Sequence, residues 1–373
     1  MKVLFALPGL HKIDRGAEVA FISVANELAK AGCQVTLVGS GQARHDTRYH
    51  FSHVGSIARD YFRSFPSLPA LRDDCAYEEL TFAADFMFRY RPLDYDVTVT
   101  CSYPFTNWIL RRPTLRGRRP PHVFVTENGD WAAYSNESEY RLFGCEGLVC
   151  TNPDFYERNR GRWRARLIPN GVDCARFSPG PHQRSLFGLP QNQLVVLMVS
   201  ALIPSKRVDV GIELVSQIPN AHLVVAGDGP MRKTIEAMAA QQLRGRFTLL
   251  SVPSEKMPSL YRSADVFLHL SKEEAFGNVY LEAMACGLPI VAHDSPHVRW
   301  IVGDEEFLVD TGQAADISAG LIKAVETPLA NRQSRVNKAD LFSWTKIGAM
   351  YQEFLQDIVT EWKSTRINES SAN

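Results

Sequence analysis

The sequence predicts an α/β fold of two doubly wound domains facing a central cleft. Three observations point there. Short β-branched apolar runs alternate with longer amphipathic stretches along nearly the whole chain, the pattern of parallel strands covered by helices. The 373 residues exceed what a single core of about 150 residues accounts for. Near the midpoint lies the densest turn chemistry, Pro169-Asn170-Gly171-Val172-Asp173 followed by Phe177-Ser178-Pro179-Gly180-Pro181, as befits a linker between two compact units.

Each element follows from its local pattern. In the first half, buried strands are expected at Val3–Leu7, Gln34–Val38, Asp96–Cys101, Val123–Thr126 and Gly147–Cys150, with a helix from Ala17 to Lys30 that Gly32 ends. In the second half they are expected at Leu194–Ser200, His222–Ala226, Thr248–Ser251, Val266–Leu270, Pro289–Ala292 and Phe307–Val309. The domains are drawn as residues 1–178 and 179–342. A last amphipathic helix, about 343–363, carries Ile347, Met350, Tyr351, Phe354, Leu355, Ile358 and Val359 near i, i+3, i+4, i+7 spacing and is assigned to the first domain. The polar stretch Ser364–Asn373 is expected to be a frayed tail.

Composition narrows the function. At 45% hydrophobic and 22% charged residues the chain is an ordinary globular protein. Its 41 basic and 41 acidic residues cancel, yet residues 1–190 hold 24 Lys and Arg against 20 Asp and Glu, leaving 17 against 21 beyond. Of those 24 cations 21 are Arg, which suits phosphate and carboxylate forks. That excess is too small for duplex nucleic acid, and no nucleic-acid signature accompanies it. The seven Cys lack any C-x-x-C pair, which suggests thiols in a reducing, cytoplasmic setting. The longest apolar run, Leu194–Val199, is far short of a membrane span. His/Cys spacing suggests no zinc site, and Asp94-Tyr95-Asp96 reads as the opening of a strand.

In open α/β sheets ligands sit beyond the carboxyl ends of the strands, so chemistry should cluster in the loops there. The most informative stretch runs from Ser271 to Pro289. It follows a strand and opens a helix at about Gly277, so Phe276, Gly277 and Asn278 offer unpaired N–H groups suited to a diphosphate. Glu274 precedes the helix while Glu282 lies more than a turn inside it, so the two carboxylates would face different parts of one elongated ligand. A carboxylate beside a phosphate site suggests sugar hydroxyls. On spacing alone, a capped amphipathic helix with a solvated Glu pair fits as well.

The E-x7-E frame of Glu274 and Glu282, with Phe276-Gly277 and Glu282-Ala283-Met284-Ala285-Cys286-Gly287 around it, resembles the retaining glycosyltransferases of the GT-B fold, family 4, which have two Rossmann-like domains. The resemblance implies that Glu274 binds the donor sugar's hydroxyls and Glu282 the nucleotide's ribose. Asn170-Gly171-Val172-Asp173 resembles the interdomain N-G-V-D of that family, and Val199–Asp209 its phosphate loop. There Lys206 matches the family's Lys, Ala201 stands at its Arg position, and Arg207 is adjacent. Ala226-Gly227-Asp228-Gly229-Pro230 resembles its G-x-G-P turn rather than a dinucleotide fingerprint, since Arg232 occupies the third Gly position. The base would lie near Ser251 and Val252. Arg15-Gly16-Ala17-Glu18 resembles G-G-x-E, which carries Gly16 over to the donor phosphates.

In the first domain, Asn128 of Glu127-Asn128-Gly129-Asp130 stands where many members carry a His. Glu127, Asn128 and Asp130 become acceptor-side candidates. The resemblance thus implies a metal-independent, retaining, front-face transfer of a hexose from a UDP- or GDP-linked donor, with Glu274 and Lys206 at the centre. The donor is a co-substrate, and no cofactor or metal is implied. The acceptor would be a glycan or a lipid-linked molecule. The stretches Arg111–Arg119 and Arg158–Arg166 would favour an anionic one, and Tyr61-Phe62-Arg63-Ser64-Phe65 a peripheral contact with an anionic membrane at its inner face. Closure about Asn170–Pro181 would exclude water. Two other readings stay open, a catalytically silent donor-binding subunit and a GT-B enzyme of another reaction such as nucleotide-sugar epimerisation.

Overall fold

The computed structural model describes residues 1–114, 117–304, 306–326 and 331–371. They form two compact units, Met1–Asn170 with the segment from Trp344 onward, and Gly171–Ser343. The division falls at Asn170/Gly171, earlier than the 178/179 boundary drawn from turn chemistry.

The first unit holds seven parallel strands: β1 (Lys2–Ala6), β2 (Gln34–Gly39), β3 (His50–His53), β4 (Val97–Thr100), β5 (His122–Val125), β6 (Gly147–Cys150) and β7 (Ala165–Leu167). Their order is β3-β2-β1-β4-β5-β6-β7. All four residues of β4, β5 and β6 are buried, as a strand covered on both faces requires. Its helices are α1 (Gly16–Lys30), α2 (Asp74–Arg89), α3 (Phe105–Leu110), α4 (Trp131–Tyr134) and α5 (Pro153–Asn159). Asp73 and Asn152 cap α2 and α5, accepting from Ala76 N and Phe155 N.

The second unit has six parallel strands, β8 (Leu194–Val199), β9 (Ala221–Ala226), β10 (Phe247–Leu250), β11 (Val266–His269), β12 (Ile290–His293) and β13 (Phe307–Val309), in the order β10-β9-β8-β11-β12-β13. Covering them are α6 (Val208–Ser216), α7 (Arg232–Gln242), α8 (Met257–Ser263), α9 (Asn278–Ala285), α10 (Pro296–Val302), α11 (Ala314–Glu326) and α12 (Arg332–Asp340). Apolar cores fill both faces of this sheet.

The chain then enters α13 (Trp344–Ser371), which packs on α1 in the first unit. Ile347, Tyr351, Phe354, Leu355, Ile358 and Val359 join Phe21, Val24 and Leu28 in one core. Gly348 permits the approach, since a Cβ there would meet the Glu27 Cβ at 2.4 Å. The helix continues through Ser371, where the sequence reading puts a frayed tail from Ser364; Ala372 and Asn373 lie outside the described residues. No described helix is long and apolar enough to cross a membrane, and all seven cysteines are free thiols.

Candidate active site

In the second sheet β8 and β11 are neighbours from which the strand order runs outward in opposite directions, so the loops at their carboxyl ends diverge and leave a crevice. After β8 the chain passes through a 3-10 turn, Pro204–Lys206. After β11 it runs from Leu270 to Gly277 before α9. Lys206 and Glu274, one from each loop, meet in an ion pair through Lys206 Nζ and Glu274 Oε1. The last residue of β11, His269, places Nε2 2.7 Å from the same oxygen. The three side chains are enclosed, at 19%, 14% and 4% exposure for Lys206, Glu274 and His269. Burial alone would raise the Glu274 pKa, but the His269 hydrogen bond and the His269 and Lys206 charges outweigh it and hold the carboxyl at about 2.

Gly277 joins this loop to α9 with φ +90°, a left-handed conformation that favours glycine. A Cβ there would also meet the Tyr280 ring at 2.7 Å. No side chain caps the start of α9, so its first N–H groups are available to an anion. Asn278 Oδ1 is enclosed without a partner among the described residues. Phe276 is buried and packs toward Trp300 and Phe342, while its carbonyl oxygen lies 3.0 Å from His297 Nε2. Its side chain is therefore an anchor of the loop. Within α9, Glu282 Oε2 accepts from Tyr261 Oη at 2.7 Å. Burial lifts the Glu282 pKa to about 7 despite that bond.

The other donor-side candidates are placed as follows. Arg207 is at φ 54° and donates to the Leu270 carbonyl at 3.3 Å and to Thr311 Oγ1 at 3.0 Å. It ties the ends of β11 and β13 together instead of presenting a free cation, and Ala201, just past the end of β8, is exposed. Ser251 is exposed and Val252 half-buried at the end of β10. Gly227 lets the loop after β9 close on the end of β8, because a Cβ would lie 1.8 Å from the Ser200 carbonyl oxygen. Gly16 is exposed at the start of α1.

In the first unit Glu127 follows β5 and is 9% exposed. Its Oε2 accepts from Asn170 Nδ2 at 2.9 Å, and its Oε1 is enclosed without a partner among the described residues. Burial raises its pKa to about 7, the Asn170 bond opposing and the nearby Glu18 adding to the rise. Burial likewise raises Glu18, and lifts Glu79 to about 7 where it accepts from Thr106 N at 2.9 Å. Burial, then the charges of Glu127, Glu18 and Glu79, pushes the Cys101 thiol well up. These carboxyl groups converge on the end of β4, which the sequence analysis missed because they lie far apart in the chain. Asn128 turns its amide toward Cys101 Sγ at 3.9 Å.

Two expectations change. Asp130 is 2% exposed and engaged by Arg158 at 2.9 and 3.2 Å and by Asn159 at 2.7 Å; it anchors α5 and offers nothing to an acceptor. Most of the Arg stretches are spent inside the unit. Arg119 is bidentate to Glu146, Arg164 pairs with Glu361 and Arg166 with Glu353, while Arg111, Arg112 and Arg162 donate to carbonyls; Arg116 lies outside the described residues. Asp96 accepts from Lys2 N at 2.8 Å at the amino end of β4, the end of the sheet opposite the site loops. Sequence reasoning also passed over His269, Tyr261 and Tyr280, aromatic residues in apolar runs. The signal for His269 was one polar residue at the end of a buried strand.

The second unit matches the profile of the family described as "Glycosyl transferases group 1" over residues 181–340, and the first that of "Glycosyltransferase Family 4" over residues 15–176. The lipopolysaccharide core biosynthesis glycosyltransferase LpsE of Rhizobium meliloti is 25% identical over 353 residues, 92% of this chain and 94% of the relative. The alpha-monoglucosyldiacylglycerol synthase of Streptococcus pneumoniae is 27% identical over 58% of this chain and 53% of its own. A GDP-mannose-dependent alpha-(1-6)-phosphatidylinositol monomannoside mannosyltransferase of Mycolicibacterium smegmatis is 34% identical over 50% and 55%. LpsE apart, the chain spans about half the length of these curated relatives. Among solved structures, sucrose-phosphate synthase from Thermosynechococcus elongatus superposes with a TM-score of 0.77 at 20% identity, over 96% of this chain and 99% of the other. Anabaena HepE, in complex with UDP and glucose, gives 0.73 at 19% over 96% and 100%. With both halves matched and the whole architecture shared, the chain belongs to the GT-B glycosyltransferases of the family 4 type.

Proposed function

We propose that the protein moves a hexose from a UDP- or GDP-linked donor to a glycan or lipid-linked acceptor, with retention at the anomeric carbon and without a metal. The observation that carries this reading is the Glu274 carboxylate, kept ionised between Lys206 and His269 beside the uncapped start of α9. An ionised carboxylate accepts from sugar hydroxyls, and a helix start together with an ammonium group receives a diphosphate. Glu282 takes the ribose, Ser251 and Val252 flank the base, and Phe276, Gly277 and Asn278 hold the phosphates. Arg207 keeps the loop in place. Gly16 is a further candidate for the donor phosphates, and Glu127 and Asn128 are candidates for the acceptor.

With Asn128 at the position of the usual His, the proton balance runs through the donor. The bond from the anomeric carbon to the diphosphate oxygen breaks as the acceptor oxygen bonds to that carbon on the same face, and the acceptor's proton passes to the departing oxygen. Lys206 and the α9 N–H groups stabilise the charge that develops there. The names of several relatives point to lipid acceptors. Tyr61 and Phe65, 68% and 45% exposed, are the side chains we assign to a bilayer surface; flotation with anionic vesicles should weaken when both become Ser.

The test of the reading is incubation with radiolabelled UDP- and GDP-hexoses and lipid or glycan fractions. A labelled product of retained configuration by NMR, unchanged by EDTA, is expected. Donor binding with no turnover in any fraction would instead indicate a silent donor-binding subunit, and interconversion of the nucleotide sugar without acceptor an epimerase.

A further inference from the structure

We propose that His269 is a positioning residue of the donor site: its Nε2–H fixes Glu274 so that one carboxylate oxygen is consumed by the protein and the other is presented to the donor sugar. This rests on the donor-site reading above and adds a residue to it. Both protein partners converge on Oε1, Lys206 from the loop after β8 and His269 from the end of β11. Oε2 accepts no hydrogen bond from the described residues. An ionised carboxylate has only acceptors, so the imidazole nitrogen 2.7 Å away carries the hydrogen.

The ring is held in one orientation. It stacks along Phe267 at a centroid distance of 6.0 Å and an 18° interplanar angle, and meets Tyr280 edge to face at 5.0 Å and 76°. Phe267 and Tyr280 are both fully buried. Tyr280 in turn lies against the backbone of Gly277, so the ring that wedges His269 is the one that requires glycine before α9. The charged and titratable groups facing Glu274 are Lys206, His269 and Tyr280. Lys206 sits on a flexible stem and would also be drawn toward a bound diphosphate. His269 belongs to a buried strand and cannot follow. The carboxylate therefore keeps its orientation when a donor arrives and Lys206 turns to the phosphates.

Two substitutions separate a hydrogen bond from packing. His269→Phe keeps an aromatic ring between Phe267 and Tyr280 but has no N–H. His269→Gln loses the ring but keeps a donor. In the full chain, using whichever of radiolabelled UDP-glucose or GDP-mannose the wild type turns over, His269→Phe should lower donor kcat/KM about ten- to a hundredfold, chiefly through KM, and His269→Gln should restore it to within about threefold. A Phe variant as active as wild type, or a Gln variant as impaired as Phe, overturns the proposal. A ligand-free readout stands apart from the activity. In protein labelled with 13C at the Glu carboxyls, the resonance missing from Glu274→Gln should titrate at higher pH in His269→Phe than in wild type, and an unmoved titration overturns the proposal. If neither donor is turned over by wild type, the proposed function fails while this titration still decides the role of His269.

Discussion

At the scale of residues, the protein sorts its buried carboxyl groups by their partners. Glu274, enclosed with Lys206 and His269, is held at about 2. Glu79, Glu127 and Glu282, enclosed with neutral donors, are raised to about 7. A carboxyl raised on folding binds its proton more tightly in the native state, so its contribution is whole below its ordinary value of 4.5 and is lost as pH rises to about 7. Glu79→Gln keeps an acceptor for Thr106 N without the charge. It should raise the melting temperature at pH 8, and the difference from wild type should shrink toward zero by about pH 5; a difference independent of pH would show that Glu79 is not the titrating group. Glu274→Gln removes an ionised contact with the proposed donor and should lower kcat/KM by about ten- to a hundredfold, the equivalent of roughly 1.5–3 kcal/mol. A loss of less than about threefold would remove Glu274 from the donor site. Gly277→Ala forces a Cβ into a left-handed backbone against the Tyr280 ring. It should cost about 1–3 kcal/mol in urea denaturation and weaken donor binding with it.

At the scale of elements, the readable strands are those with a continuous run of apolar or β-branched residues, whether central or, like β10 and β13, at a sheet edge. β6 and β8 carry uninterrupted apolar runs, β4 alternates Val with Thr and β11 is apolar up to His269, and all four lie within a residue or two of where the pattern puts them. The edge strands β3 and β7 were not legible. His50-Phe51-Ser52-His53 and Ala165-Arg166-Leu167 are partly exposed, so neither alternation nor apolar run marks them; they become strands by pairing with β2 and β6. The last helix was legible as an amphipathic stripe, and what it covers needed the structure. Phe354 is fully buried between α13 and the first sheet. Phe354→Ala should cost about 3–5 kcal/mol in chemical denaturation. A loss below about 1 kcal/mol would mean that the helix is not part of that core.

At the scale of the whole molecule, the net charge of zero conceals a first half rich in Arg, and the sequence leads one to expect a surface for an anionic acceptor. Folding places Arg119, Arg158, Arg164 and Arg166 against Glu146, Asp130, Glu361 and Glu353, and Arg111, Arg112 and Arg162 against backbone carbonyls. Arg164→Ala should therefore cost no more than about 1 kcal/mol of stability and leave transfer within a factor of about two; a large rise in acceptor KM would reinstate an anionic acceptor at that face. By itself the sequence determined the alternation of strands and helices, the presence of two units and the E-x7-E frame, because each is a local pattern of side-chain type and spacing. Only the tertiary structure decided which charges remain free. Arg207, Asp130 and most of the described Arg residues of those stretches are consumed by partners distant in the chain, and the Lys206 that meets Glu274 comes from a strand loop 68 residues away. Hydrogen bonds and ion pairs between residues far apart in sequence depend on where the strands end in space, and no local pattern records that.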